Sequence, residues 1–78
     1  MTLTIKYFGM TAEASGKTEE SFRSNYSSIA ELQKDIINKY PKLEKISFKI
    51  AANQTIVNDD YLLSENEEIA LLPPFAGG

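Results

Sequence analysis

The chain has 78 residues, a formal charge of −3, and neither Cys nor His. That length allows a single domain with a small core, and the missing residue types exclude a Cys nucleophile, a His general base, a Ser-His-Asp triad, structural disulfides and the usual zinc ligand sets, so no metal site is expected. The eight basic residues are dispersed along the chain, giving no nucleic-acid footprint, and no apolar run approaches membrane-spanning length. The opening Met1-Thr2-Leu3-Thr4-Ile5-Lys6 lacks the apolar stretch and cleavage site of a signal peptide, so a cytoplasmic location is expected. Chemistry is left to carboxylates, Lys, Tyr, Ser/Thr or the chain terminus.

Thr2–Phe8 alternates, with Leu3, Ile5 and Tyr7 on one face and Thr4, Lys6 and Phe8 on the other, which predicts a strand ended by Gly9. Thr11–Lys17 is small and polar and reads as a loop. Thr18–Ser24 reads as a second strand despite Glu19-Glu20, which are poor strand formers. Ser28-Ile29-Ala30-Glu31 fits a capping box, in which the Ser28 hydroxyl accepts from a free backbone N–H and Glu31 reaches back to the cap residue. Ile29, Leu32, Ile36 and Tyr40 then recur at helical spacing until Pro41 disfavours helical geometry at Tyr40.

Beyond Pro41 the period returns to two. Ile46, Phe48 and Ile50 predict a strand running to Ala52, and Asn53-Gln54 and Asn58-Asp59-Asp60 predict turns. Tyr61-Leu62-Leu63 fits a turn of helix or a short edge strand, and Ser64–Glu67 a polar loop. Glu68–Leu72 predicts a last strand, whose unbroken Ile69-Ala70-Leu71-Leu72 suggests burial on both faces near the sheet centre, with the first strand as a candidate neighbour. The order predicts an α+β fold with one main helix packed across a mixed sheet.

Pro73-Pro74 ends the last strand, and Phe75-Ala76-Gly77-Gly78 follows. A frayed, Gly-rich terminus is the bland explanation. The functional one is a tail, residues 73–78, able to enter a narrow channel, because glycine lacks a Cβ and allows close backbone approach.

The element order, together with the ending Leu71-Leu72-Pro73-Pro74-Phe75-Ala76-Gly77-Gly78, resembles the ubiquitin-like β-grasp sulfur carriers, in particular the family of molybdopterin synthase small subunits. Ile5-Lys6-Tyr7-Phe8, Ser28-Ile29-Ala30-Glu31-Leu32 and Ala52-Asn53-Gln54 are similar to that family's first strand, helix start and turn. The resemblance spans residues 1–78 as a single β-grasp domain. Glu65-Asn66-Glu67-Glu68 departs from the acidic Gly-Asp pair common in the family before its last strand.

The resemblance implies a sulfur-donor subunit that is not an enzyme alone. An adenylating enzyme resembling the ubiquitin-activating fold would use ATP to activate the Gly78 carboxylate. Sulfur from a donor protein would convert it to a thiocarboxylate, and a large synthase subunit would use that sulfur to build the molybdopterin dithiolene from a cyclic pterin phosphate. The chain itself would bind no cofactor, and the family implies a heterotetramer. Gly77 would pass a tight channel, while Pro73 and Pro74 limit the tail's conformations.

Phe75 fits partner contact, given the aromatic enrichment of interfaces. Phe8 is either a second-face core residue under the helix, which the usual burial of Phe favours, or part of an exposed partner surface. The acidic run Asp59, Asp60, Glu65, Glu67 and Glu68 fits a solvated turn face better than a steering patch, and Lys34, Lys39, Lys42 and Lys45 fit a solvated helix side. Three other functions suit the same features: a carrier for another pathway such as thiamine thiazole synthesis, a protein modifier joining Gly78 to lysines, and an interaction domain with an inert tail.

Overall fold

The computed structural model describes residues 2–23 and 25–73. The strands are β1 (Thr2–Tyr7), β2 (Glu19–Arg23), β3 (Lys49–Ala52), β4 (Thr55–Val57) and β5 (Glu68–Leu72). The helices are α1 (Met10–Ser15) and α2 (Ile29–Lys39), with a 3-10 helix at Pro41–Lys45. They form a five-stranded sheet of order β2-β1-β5-β3-β4, in which β1 and β5 are parallel and the other neighbours antiparallel. This is the β-grasp arrangement implied by the resemblance.

Alternation in β1 places Leu3, Ile5 and Tyr7 in the core. Ile29, Leu32 and Ile36 of α2 meet them there, with Leu43, Ile50, Ala52, Ile69 and Leu71. Several of these side chains are wholly shielded from water, each stabilising the fold by roughly 1.5–3 kcal/mol relative to exposure. β5 lies in the sheet centre beside β1, but only one of its faces is closed. Ile69 and Leu71 are buried, whereas Glu68, Ala70 and Leu72 are half-buried. The expectation of burial on both faces is therefore corrected: α2 covers one side of the sheet, and no described element covers the other.

Four local expectations change as well. Thr11–Lys17 is not a loop, because α1 occupies Met10–Ser15. Ala12, Glu13 and Ala14 tolerate a helix, and Gly16, at φ 74°, closes it in a left-handed cap by donating its N–H to Ala12 O at 2.8 Å. The Ser28 hydroxyl makes no cap hydrogen bond. Backbone carbonyls take its place: Ile29 N–H donates to Tyr61 O at 3.1 Å, and Ala30 N–H to Asp59 O at 3.0 Å. Glu31 reaches back as expected, with the Ser28 backbone among its hydrogen-bond partners, and extends one residue further, accepting from the Ser27 N–H at 2.9 Å and from the Ser27 hydroxyl.

The strand expected from Ile46 begins only at Lys49, after a 3-10 turn that buries Leu43. Lys49 pairs with Leu72, and the next residue, Pro73, has no N–H to extend the ladder. Tyr61-Leu62-Leu63 is neither a helical turn nor a full strand. Leu62 forms an isolated bridge with Ser28, and Leu63 N–H donates to Ser27 O at 3.0 Å.

The β3–β4 hairpin turns at Asn53-Gln54, as expected, with φ of 49° and 73°. Both central residues therefore lie in the left-handed region that a tight hairpin requires. Asn53 is anchored, accepting from Glu68 N–H through its side chain at 3.1 Å and donating its own N–H to Glu68 O at 2.8 Å. Gln54 is exposed and carries a Cβ where glycine is the relaxed choice. Gln54→Gly is expected to stabilise the fold by roughly 1 kcal/mol and raise Tm by a few degrees in thermal denaturation. An unchanged or lower Tm would show that the turn carries no strain.

Candidate functional site

Parallel pairing sends β1 and β5 to the same end of the sheet, where Tyr7 pairs with Leu71. Pro73 is half-buried there. Of the expected tail, Pro74, Phe75, Ala76, Gly77 and Gly78 lie outside the described residues. What the structure supplies is the root from which they start.

That root is built by Phe8-Gly9-Met10-Thr11. Gly9 has φ 52° and ψ −121°, a conformation suited to glycine, and a Cβ placed on it would stand 3.3 Å from Pro73 Cγ. Thr11 is wholly buried. Its Oγ1 accepts from Phe8 N–H at 2.8 Å and lies 3.0 Å from Leu71 O and 2.8 Å from Phe8 O, the two acceptors available to its proton. Phe8 is 45 % exposed and Met10 51 %. The core position favoured for Phe8 is therefore corrected: β1 ends at Tyr7, and Phe8, beside Gly9, is exposed.

The open sheet face adjoins this root. Register places Ile56, Ala51, Ala70 and Lys6 in one row and Lys49 and Leu72 in the next. Lys6 pairs with Glu68 at 3.1 Å across that face. Ile56 is 58 % exposed, so apolar and charged groups alternate there.

The acidic run does not behave as one solvated face. Glu67 is buried, accepting from Ser64 N–H at 2.7 Å and from the Tyr61 hydroxyl at 3.0 Å, while its own carbonyl accepts from Thr4 N–H at 3.1 Å. Its carboxylate closes the turn before β5. Asp59 and Asp60 instead line an open groove of about 540 Å³ beside Phe48 and Ile56. Among the described residues, no group of three or more carboxylates is placed to hold a metal ion, and no helix is long and apolar enough to cross a membrane.

A second polar cluster lies where β2 meets the end of α2. Glu20 Oε1 accepts from the Tyr7 hydroxyl at 3.0 Å and the Tyr40 hydroxyl at 2.7 Å, and Oε2 pairs with Lys39. Lys39 stays exposed, as expected, while it pairs with Glu20, and its ammonium lies 5.2 Å from the Phe22 ring centroid. Burial acts to raise the Glu20 pKa, but hydrogen bonds from Lys39, Tyr40 and Tyr7 outweigh it and hold the carboxyl below its ordinary value. Tyr7 is pushed up, first by burial and then by its bond to Glu20. A carboxylate held ionised by three donors is a fastener, poorly suited to proton transfer near neutral pH.

The model of the ThiS family matches residues 5–78. The chain belongs to the ThiS family. It is 31 % identical over 83 positions to the molybdopterin synthase sulfur carrier subunit of Caenorhabditis elegans, covering 100 % of this chain and 99 % of that protein. The solved putative molybdopterin converting factor subunit 1 of Pyrococcus furiosus superposes with a TM-score of 0.88 at 20 % identity, covering 96 % of this chain and 99 % of that one. A chain from the complex of subunits 1 and 2 of the molybdopterin-converting factor of Helicobacter pylori superposes with a TM-score of 0.75 at 25 % identity, with 100 % of each chain covered.

Sequence reasoning missed Gly9, Thr11 and Glu20. A Gly at the end of a strand, followed two residues later by a hydroxyl, was the available signal for the first two. For Glu20 it was a carboxylate at an inward strand position in a chain with tyrosines to satisfy it.

Lowering the pH tests the Glu20 cluster. A carboxyl whose folded pKa lies below its unfolded value contributes stability above the unfolded value and loses it as pH falls through the folded one. Glu20→Gln should cost roughly 1–2 kcal/mol near neutral pH in urea denaturation. The gap from wild type should close progressively below the ordinary value of 4.5. A gap independent of pH would rule out the charged cluster as its source.

Proposed function

We propose that this ThiS-family chain is the sulfur carrier of a molybdopterin synthase, and that the carboxylate of Gly78 is the group that carries sulfur. The observation that carries this reading is the position of the tail root. β5 ends in the middle of the sheet beside the end of β1, next to an exposed Phe8 and an open face. Likeness to the Caenorhabditis elegans carrier over both full lengths supports the same role.

The chemistry follows from the poor reactivity of a carboxylate, whose leaving group would be oxide. An adenylating enzyme joins the Gly78 carboxylate to AMP from ATP and releases pyrophosphate. Sulfide-level sulfur released by a donor protein attacks the acyl-adenylate and displaces AMP, leaving a thiocarboxylate. In a large subunit of the kind found with subunit 1 in the Helicobacter pylori complex, two such thiocarboxylates deliver one sulfur each to a cyclic pterin phosphate precursor, and water cleaves each acyl–sulfur bond, giving the dithiolene and returning two Gly78 carboxylates. The assembly is a cytoplasmic heterotetramer of two small and two large chains. Gly77 gives clearance in the channel, Pro73 and Pro74 restrict the tail, and Phe8 and Phe75 contact the partners.

Intact-mass measurement after incubation with ATP, a sulfur source and cell extract tests the reading. The expected product exchanges one oxygen for sulfur at Gly78, and deletion of Gly78 abolishes the exchange while leaving the circular dichroism spectrum unchanged. A terminus that remains an ordinary carboxylate overturns the proposal, and lysine-linked adducts would make the chain a protein modifier instead. Complementation of strains lacking either the molybdenum-cofactor or the thiamine carrier assigns the pathway.

A further inference from the structure

The parallel ladder between β1 and β5 has a fixed phase. Thr4 N–H donates to Glu67 O at 3.1 Å, and Thr4 pairs with Glu68. Each pair of residues along both strands repeats that relation. Continuing it brings Phe8 N–H opposite Leu71 O, the last bond the two strands could share before β1 turns away.

That bond is replaced. Phe8 N–H donates to Thr11 Oγ1 at 2.8 Å, and Thr11 Oγ1 stands 3.0 Å from Leu71 O. A buried hydroxyl is thus spliced between donor and acceptor, accepting from Phe8 N–H and sharing its one proton between Leu71 O at 3.0 Å and Phe8 O at 2.8 Å, which holds the two strand ends one oxygen further apart. The hydroxyl reaches this point because α1 starts immediately after Gly9, whose positive φ reverses the chain. With no Cβ, Gly9 also leaves the space into which the Pro73 ring packs.

We propose that Thr11 and Gly9 are positioning residues for the C-terminal carboxylate. The hydroxyl splice and the bare Cα fix the backbone at Leu71–Pro73, and so set the direction in which the last residues leave the sheet before any partner is met. This inference rests on the carrier reading. Its physical content is pre-organisation: an exit direction already set lowers the ordering cost when a partner takes up the tail. The loss should therefore appear in KM for the carrier more than in kcat.

The test is pyrophosphate exchange catalysed by the adenylating partner, with the carrier as varied substrate. Thr11→Val keeps the side-chain shape and removes the hydroxyl. It is expected to raise KM for the carrier roughly tenfold with kcat changed much less, while Thr11→Ser restores wild-type KM. Pro73→Ala, at a half-buried site beyond the last strand, removes the ring that meets Gly9 and is expected to raise KM in the same sense, even if Thr11→Val fails to fold. Wild-type adenylation with unchanged KM in a folded Thr11→Val, or in Pro73→Ala where Thr11→Val does not fold, overturns the positioning role and leaves the carrier reading intact. Absence of exchange with wild type overturns both.

Discussion

Everything in this molecule depends on the parallel pairing of β1 with β5. Parallel neighbours cannot be joined by a hairpin, so the intervening chain must form an extended crossover that returns β5 in the direction of β1. α2 is the part of that crossover which closes the core, and its Ile29, Leu32 and Ile36 lie against the inward residues of both strands. The same geometry brings the C-terminal ends of the two strands together. Phe8-Gly9 and Leu72-Pro73, more than sixty residues apart in sequence, become neighbours. Folding the core and siting the tail root are thus one event.

The parts legible in the sequence were those governed by side-chain period. Leu3-Ile5-Tyr7 and Ile29-Leu32-Ile36 each fill one face, because burial selects apolar residues at the spacing of the backbone. Pro41 stopped α2 where steric exclusion required. The misread segments were those governed by polar partners that side-chain period does not reveal, whether distant, as for Ser28, or close, as for Glu67. Ser28 looked like a helix cap, yet carbonyls of Asp59 and Tyr61 do the capping. Glu67 looked solvated, yet the turn before β5 closes around its carboxylate. Such partners are set by tertiary placement, and no local pattern announces them. Ile46–Phe48 shows the complementary failure: a strand period survives where the neighbouring strand has run out of partners.

The buried polar groups share one character. Among the described residues, no buried side-chain nitrogen or oxygen lacks a hydrogen-bond partner. Glu20 is held by Tyr7, Tyr40 and Lys39, Glu67 by Tyr61 and Ser64, and Thr11 by the two strand ends. Glu20 ties β2 to β1 and to the end of α2, Thr11 ties α1 to the ends of β1 and β5, and Glu67 closes the turn before β5. Glu20 is kept ionised by its three donors, and its lone pairs are already engaged by the groups it secures. Side chains committed in this way leave reactivity to come from elsewhere. A terminal carboxylate activated by another protein is consistent with that division of labour.

The division also explains why the tail root is built from backbone and small groups. A partner that handles a chain end must reach it without meeting bulky side chains, yet the end must be presented reproducibly. A hydroxyl inside a ladder bond and a glycine under a proline ring fix direction while adding almost no volume. Phe8 and Met10 flank Gly9 and stand exposed beside it. On the carrier reading, contact area would come from these side chains and direction from Thr11 and Gly9. Adhesion and direction would then be separable within one turn, because a substitution at Thr11 leaves the exposed aromatic in place.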